Sequence, residues 1–290
     1  MTQPVFRFAP SPNGRLHLGH AYSALLNAAL AARFSGRLLL RVEDIDLTRC
    51  RPQFEAGIYE DLAWLGLAFE EPVRRQSEHF KEYRAALAAL QGRGLVYPCF
   101  CSRKDIVAAV ARRETGTGRP WPRDPDGAPL YPGTCRSLSA AVVEAHMVAG
   151  EPHAWRLDTA LALEAAPSRL TYPSFVPDGA EKAVAAHPER WGDPVVGRKE
   201  VPTSYHLSVV HDDAVQGVTH VVRGQDLEVA TDLHVLLQHL LGLPAPRYHH
   251  HPLIRDEAGD KLSKSLLSES LADLRARGVT AAEVRRSLGL

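Results

Sequence analysis

Residues 5–20 read VFRFAPSPNGRLHLGH and combine a short apolar run, a cluster of turn residues and the start of a helix. The run at 5–9 is typical of a buried strand, although Arg7 interrupts it. Prolines, a serine, an asparagine and a glycine follow, which favours a tight turn. Apolar side chains then recur from Leu18 to Phe34 at the spacing of one helix face. The stretch therefore predicts a strand, a turn and a helix in immediate succession.

The same alternation of strands and helices continues downstream. Residues 38–42 form a second apolar run, and Glu43 stands just past its end. Amphipathic helical patterns begin at Pro52 and at Phe80. Because strands and helices alternate at this spacing, we expect an α/β fold with a parallel sheet over roughly residues 1–95.

Residues 96–200 interrupt this pattern, since they hold three of the four cysteines and a run rich in proline and glycine. We expect an inserted module with long loops there, and one helix around 139–148. The regular α/β pattern resumes at 205–210 and 218–222, and a helix is expected over 227–241. The predicted divisions are a first half of the core at 1–95, the insert at 96–200, a second half at 201–255, and a loop with short C-terminal helices at 256–290.

The composition is that of a globular protein. The 290 residues include 34 Lys plus Arg and 34 Asp plus Glu, with 45% hydrophobic residues, which excludes disordered and collagen-like chains. The net charge is zero, yet residues 1–50 carry six basic against three acidic side chains, and 101–136 carry seven against four. Four cysteines are too few for a disulfide framework, and the first ten residues lack the pattern of a signal peptide. We therefore expect a cytoplasmic protein with local basic surfaces.

The sequence HLGH at 17–20 opens the first predicted helix. The N–H groups and the positive dipole end of a helix N-terminus favour phosphate. His17 and His20 can both donate hydrogen bonds to phosphate oxygens, and Gly19 lets a purine ring approach the backbone. The alternative is that both histidines only cap or pack the helix. The strand–turn–helix context favours a nucleotide site.

A second candidate is KLSKS at 261–265, which follows a DEAGD turn. Lys261 and Lys264 are two of only six lysines in a chain with 28 arginines. A loop with two such point charges can fold over a triphosphate and neutralise the charge that develops during nucleotidyl transfer. A solvated loop is the alternative.

These motifs, in their order and spacing, resemble the class I glutamyl-tRNA synthetases over nearly the whole chain, most weakly at 104–200. The other motifs that carry the resemblance are RFAPSP at 7–12, RVEDID at 41–46 and VRGQD at 222–226. The resemblance implies a Rossmann-type catalytic core that uses ATP and Mg²⁺ to form glutamyl-adenylate and passes glutamate to RNA. It also implies that ATP is bound by His17, Gly19, His20, Lys261 and Lys264, with the two histidines and two lysines catalytic.

The substrate L-glutamate brings an ammonium, an α-carboxylate that attacks ATP, and a γ-carboxylate that identifies it. Arginine forks suit the γ-carboxylate, because clamping the attacking carboxylate would blunt it. The resemblance implies that an acidic side chain at a strand end holds the ammonium. The implied glutamate-binding residues are Arg7, Ala9, Ser11, Glu43, Tyr205 and Arg223.

The cysteines of the insert, in the sequence CFC at 99–101 and at Cys135, suggest a structural Zn²⁺ site, which needs a fourth ligand. The residues alone leave two questions open: whether the cysteines are simply reduced and buried, and whether His146 or His153 completes the site. Related enzymes carry C-x-C followed by Y-x-x-x-C. The ligands implied by that resemblance are Cys99, Cys101, Tyr131 and Cys135.

Only 25 residues follow Ser265, too few for the helical domain with which full-length family members read the anticodon. We therefore expect no anticodon-binding domain. This architecture resembles a truncated branch of the family that attaches glutamate to queuosine at the wobble position of tRNA(Asp). The resemblance implies the same reaction for this chain, with the anticodon stem-loop of tRNA(Asp) entering the active site. The alternatives are a minimal synthetase that charges the 3′ end of tRNA(Glu), and a glutamate- and ATP-binding module without RNA transfer. We expect a monomer without a membrane partner.

Two further features are less specific. The triplet HHH at 249–251 adjoins an apolar run at 252–254 that we expect to be a strand, and packing is favoured over metal binding. The arginines between 112 and 123 suit either RNA phosphates or solvent.

Overall fold

A seven-stranded sheet forms the centre of the molecule, in a computed structural model that describes residues 3–254 and 269–290. The strands are β1 (Val5–Phe8), β2 (Arg37–Val42), β3 (Glu70–Arg75), β4 (Val96–Cys99), β5 (Ala154–Leu157), β6 (Thr171–Phe175), β7 (Glu181–Ala185), β8 (Val195–Gly197), β9 (His220–Gly224) and β10 (Arg247–His251). The helices are α1 (Leu18–Arg33), α2 (Pro52–Trp64), α3 (Phe80–Gly92), α4 (Arg103–Thr117), α5 (Ala140–Val148), α6 (Thr159–Glu164), α7 (Tyr205–Val215), α8 (Ala230–Leu241), α9 (Leu271–Ala276) and α10 (Ala281–Ser287).

The large sheet has the order β3-β2-β1-β9-β10-β6-β7, and all its neighbours are parallel except β6 and β7. The strand β1 is the third in this order and lies inside the sheet, where Phe6 pairs with Leu38 of β2 on one side and with His220 of β9 on the other. Such a sheet collects ligand-binding side chains at the carboxyl ends of its strands. The predicted α/β fold with a parallel sheet is confirmed.

A smaller antiparallel sheet, β4-β5-β8, belongs to the middle of the chain. The sequence assigns all of 96–200 to the insert, whereas β6 and β7 join the large sheet at its edge. Their burial explains the difference, because Tyr172 and Phe175 pack beside Tyr248 and Phe34 and extend the main core.

Several predicted elements are found with small changes. The pattern at 205–210 is the first part of helix α7, and the helix predicted over 227–241 begins as α8 at Ala230 after a short 3₁₀ turn. The strand expected at 252–254 is wrong: the strand β10 ends at His251, so the histidine triplet lies within it. Among the helices within 3–254 and 269–290, none is long and apolar enough to cross a membrane.

The two C-terminal helices close the apolar layer beneath α1 and α2. Leu271 and Val284 are buried against Leu16 and Leu62. Arg275 donates to Asp61 at 3.0 Å, and Arg285 donates to the Leu65 carbonyl at 2.7 Å. The last described segment is therefore an integral part of the fold around β1.

Candidate active site

A cavity of about 450 Å³ opens at the carboxyl ends of β1, β2 and β9. Its walls include every described residue that the sequence predicts to bind ATP or glutamate: Arg7, Ala9, Ser11, His17, Gly19, His20, Glu43, Tyr205 and Arg223. Lys261 and Lys264 lie outside the described residues. Segments more than 200 positions apart in the chain thus meet in one place.

The two histidines of HLGH both cap helix α1 and line the cavity. His17 Nδ1 accepts from the Gly19 amide at 3.1 Å, and His20 Nδ1 accepts from the His17 amide at 3.2 Å. In the neutral imidazole each proton then sits on Nε2, which leaves a donor-type nitrogen on both rings. Burial, with His17 adjacent, lowers the pKa of His20 to about 3. The capping and phosphate-binding interpretations are therefore compatible.

Arg7 and Glu43 belong to one buried network of charges. Arg7 Nε donates to Asp213 at 3.1 Å, and Arg41 donates to the same carboxylate oxygen at 2.7 Å. Arg41 Nη2 also donates to Glu43 at 3.1 Å. Burial raises the pKa of Glu43, while the charge of Arg41 opposes that rise. The network holds the cation of Arg7, on β1, and the anion of Glu43, just past the end of β2, at the cavity wall.

The carboxylates Asp212 and Asp213 on helix α7 are the residues that sequence reasoning missed. Asp212 accepts from Arg74 at 2.8 Å, from Gln76 at 2.8 Å and from Tyr83 at 2.9 Å. Burial raises the pKa of Tyr83, and the nearby Asp212 adds to that rise. The sequence did carry a signal for them. Two adjacent aspartates inside an apolar helix need cationic partners when they are buried.

Arg223 and Tyr205 come from the second half of the chain. Arg223 Nη2 donates to Thr231 Oγ1 at 2.8 Å, and Nη1 donates to His234 Nδ1 at 3.2 Å. Tyr205 is the first residue of α7, which Ser204 caps through the Leu207 amide. Burial raises the pKa of Tyr205, so its hydroxyl stays protonated and can donate.

Ser11 and Ala9 lie on the loop between β1 and α1. The Ser11 hydroxyl is 3.7 Å from the Cys50 sulfur, and the Glu43 amide donates to the Pro10 carbonyl at 3.0 Å. The second contact ties the loop to the end of β2 and brings the backbone of Ala9 toward Glu43.

The three cysteines of the insert come together with Tyr131. The sulfurs of Cys99, Cys101 and Cys135 all lie within 4.8 Å of one another. The Tyr131 hydroxyl is 3.4 Å from the Cys101 sulfur, and it accepts from the Cys135 amide at 2.9 Å. His146 instead pairs with Glu151 at 2.9 Å. The donor set that approaches the sulfurs is therefore the one implied by the family resemblance.

The histidines of β10 contact neighbouring protein groups. His249 Nδ1 is 3.0 Å from the Phe175 carbonyl, and His250 Nε2 is 3.0 Å from Thr231 Oγ1. His251 is buried and lines the cavity. Within the part of the chain that the structure describes, the cysteine cluster is the only group of three or more His, Cys, Asp or Glu placed to hold a metal ion.

A second cavity, of about 650 Å³, lies between the insert and the core. It shares Arg198, Tyr205, Asp226 and Leu227 with the first cavity, so the two adjoin. Arg103 and Arg156 on the insert side contribute positive charge to its walls. Of the arginines between 112 and 123, Arg113 bonds the Pro132 carbonyl and Arg123 the Gly127 carbonyl.

Comparison with known proteins gives consistent matches over this chain. Residues 4–286 match the family of class I tRNA synthetases (E and Q), catalytic domain. A glutamyl-Q tRNA(Asp) synthetase of Rhodobacter capsulatus is 46% identical over 99% of this chain and 100% of its own length. Glutamate–tRNA ligase 2 of Nitrosococcus oceani is 37% identical over 94% of this chain but 56% of its own length.

The fold is also similar to solved structures. The crystal structure of a glutamate tRNA ligase from Elizabethkingia meningosepticum, in complex with its amino acid, superposes with a TM-score of 0.73 at 26% identity. The match covers 96% of this chain and 53% of that one, so this chain spans about half the length of the solved relative.

Proposed function

Because this chain belongs to the class I tRNA synthetases of the glutamate and glutamine type, we propose that it activates L-glutamate with ATP and transfers it to queuosine at the wobble position of tRNA(Asp). The observation that carries the proposal is the single cavity that gathers two arginines, a carboxylate, a tyrosine and a histidine-capped helix end. The R. capsulatus relative, matched along its entire length, bears the name of that activity.

In the first step, a glutamate α-carboxylate oxygen attacks the α-phosphorus of ATP, and the bond to pyrophosphate breaks. His17 and His20 at the start of α1 would donate hydrogen bonds to phosphate oxygens as negative charge builds up there. Lys261 and Lys264 would add positive charge from KLSKS. Mg²⁺ would enter with ATP, and we assign it no protein ligand.

Glutamate is recognised by charge and by hydrogen bonds. Glu43 would hold the ammonium, and Arg7 and Arg223 with Tyr205 would bind the γ-carboxylate. Arg223 lines the cavity, and its Nη1 and Nη2 atoms, which bond His234 and Thr231 through one hydrogen each, keep a second N–H that can donate to a ligand carboxylate. This set leaves the α-carboxylate unclamped and able to attack.

In the second step, a hydroxyl of the modified nucleoside attacks the activated carbonyl, and AMP leaves. The adjoining second cavity would admit the nucleotide, since it reaches the first cavity at Tyr205 and Arg198. Its volume of about 650 Å³ suits a single extruded nucleotide, and the arginines on its insert side suit a phosphate. The partner implied is the anticodon stem-loop of tRNA(Asp).

The decisive experiment identifies the RNA product. We expect ATP–pyrophosphate exchange with glutamate in the absence of tRNA, and labelled glutamate on tRNA(Asp) that carries queuosine. Periodate cleaves the 3′ ribose diol as well as the queuosine diol, so the discriminating acceptor is tRNA(Asp) with unmodified guanosine, which keeps its 3′ ribose diol and should accept nothing. Label on the 3′ ribose of tRNA(Glu) would contradict the proposal and favour a minimal synthetase, and exchange without any RNA product would favour a binding module.

We also propose that the cysteine cluster holds a structural Zn²⁺ through Cys99, Cys101, Cys135 and Tyr131. Three sulfurs and a phenolic oxygen are suitable tetrahedral ligands, and a bound Zn²⁺ would tie the start of α4 to the loop around Tyr131. Tyr131 also lines the second cavity, so the cluster would position the insert beside that cavity.

Metal analysis tests the zinc site. The purified protein should contain about one Zn²⁺ per chain, and Cys101→Ser should lose it because a neutral hydroxyl is a poor ligand. Tyr131→Phe should weaken retention against a chelator. Cys50→Ser is the matched control, since Cys50 lies beside Ser11 and away from the cluster, and it should keep full zinc content. A protein purified without zinc that also fails to take it up would contradict the assignment.

A further inference from the structure

Arg223 lies in the middle of a buried chain of hydrogen bonds. On one side, its Nη1 is 3.2 Å from His234 Nδ1, and His234 Nε2 is 3.1 Å from His206 Nδ1. On the other side, its Nη2 is 2.8 Å from Thr231 Oγ1, which is 3.0 Å from His250 Nε2. Arg223, His234 and Thr231 are each at most 5% exposed.

The guanidinium determines the tautomer of His234 and the direction of the hydrogen bond from His234 to His206. Arginine has donors and no acceptor, so His234 must accept at Nδ1 and carry its proton on Nε2. That proton is donated to His206 Nδ1, which is therefore unprotonated. On the other branch, Thr231 Oγ1 accepts from Arg223 Nη2 and also lies within hydrogen-bond distance of His250 Nε2. Both branches run outward from one cation.

The partners of Arg223 differ in charge from those of Arg7. Arg7 bonds the carboxylate of Asp213, which offsets part of its charge. Arg223 is held at Nη1 and Nη2 by neutral groups, so it is oriented while its charge stays available to an anion. Burial, together with the charge of Arg223, keeps the pKa of His234 well below its usual range.

We propose that His234 is a positioning residue for Arg223: as a neutral Nε2–H imidazole, it orients the guanidinium toward the substrate carboxylate without neutralising it. This inference rests on the proposed function, in which Arg223 binds glutamate. Gln is the side chain that reproduces the required pair, because its amide oxygen can accept from Arg223 and its NH₂ group can donate to His206.

Steady-state pyrophosphate exchange separates this role from a structural one. His234→Ala should raise the KM for glutamate about 10- to 100-fold and change kcat and the KM for ATP little, since the γ-carboxylate is bound equally before and during reaction. His234→Gln should restore KM to within a few-fold of the native value. His234→Glu keeps an acceptor but adds a negative charge, so it should raise the KM for glutamate as His234→Ala does.

Thr231→Val removes the acceptor of the other branch at similar volume, and it should raise the same KM even where His234→Ala does not fold. Equal KM values in the native protein and in both His234→Ala and Thr231→Val would overturn the proposal. A rescue by Glu as complete as that by Gln would also overturn it, since charge neutrality would then be irrelevant.

Imidazole nitrogen NMR of the protein without substrates tests the inference independently of activity. We expect the His234 signals of a neutral ring with the proton on Nε2 at pH 7, and the assignment is made by their loss in His234→Gln. A proton on Nδ1, or a cationic ring, would overturn the inference. Absence of glutamate-dependent exchange in the native protein, with the expected tautomer present, would instead count against the proposed function alone.

Discussion

Replacement of Arg41 by Met should lower the free energy of unfolding by about 3–5 kcal/mol, because removal of one partner leaves buried charges uncompensated. Arg41 is fully buried and donates to Asp213 at 2.7 Å, Gln216 at 3.0 Å and Glu43 at 3.1 Å. Burial alone would lower the pKa of Arg41, yet the surrounding carboxylates, Asp213 foremost, raise it. The loss should be measured by urea denaturation at pH 7.5.

The same substitution on the same strand provides the control. Arg37 forks onto Glu70 with distances of 3.0 and 2.5 Å, but both side chains are 44% exposed. Exposed pairs contribute little because solvent screens them, so Arg37→Met should cost far less stability than Arg41→Met. Arg41→Lys retains the charge and loses the fork, and its stability should be intermediate. Similar losses for Arg37→Met and Arg41→Met would contradict this account of the network.

Mild acid should unfold the protein. Burial lowers the pKa of His206 and His220 to about 4, that of His20 and His250 to about 3, and that of His234 well below 6.5. The unfolded chain takes up these protons near pH 6.5, while the folded chain resists them. The stability is therefore fully present above pH 6.5 and is lost as the pH falls toward 4, at about 1.4 kcal/mol per pH unit for each imidazole.

Denaturation midpoints at pH 7.5, 6.5 and 5.5 measure this loss while most carboxyl groups stay ionised. His220 is not among the residues that line the cavity, its ring stacks on Phe6 at 4.7 Å, and among the described residues its one side-chain hydrogen-bond partner is Thr219. His220→Phe should therefore reduce the slope of stability against pH by about one proton, or roughly 1.4 kcal/mol per pH unit. A native stability that is flat from pH 7.5 to 5.5 would contradict the prediction.

The parts of the fold predicted from sequence are those with an apolar pattern. The strands β1 and β2 and helix α1 bury their apolar side chains, and their periodicity reveals them. The strand β3 reads EEPVRR and was missed, because an edge strand pairs on one side only and needs no apolar run. Helix α4 buries only Ala109 and Val110, so no stripe marks it. Its capping box, Ser102 with Asp105, was the available signal.

The predicted ATP- and glutamate-binding residues line one cavity wherever the structure describes them, but the residues that hold them in place were not predictable from the sequence. Arg41 is the first residue of the RVEDID motif, and its partner Asp213 is 172 positions away. No local spacing links them, because the contact exists only after β1 has paired with both β2 and β9. The roles of His234 and Thr231 depend in the same way on the distance between β9 and α8.

The pairing of β1 with both β2 and β9 also affects how the chain can fold during synthesis. A ribosome makes β1 long before its neighbour β9 and before the carboxylate that pairs with Arg7, which lies 206 positions later. Until then one edge of β1 lacks its strand, and Arg7 and Arg41 both lack the carboxylate of Asp213. Native contacts of such sequence separation slow folding and prolong exposure of an open edge. The nascent chain should therefore depend on chaperones until residues beyond 224 have left the exit tunnel.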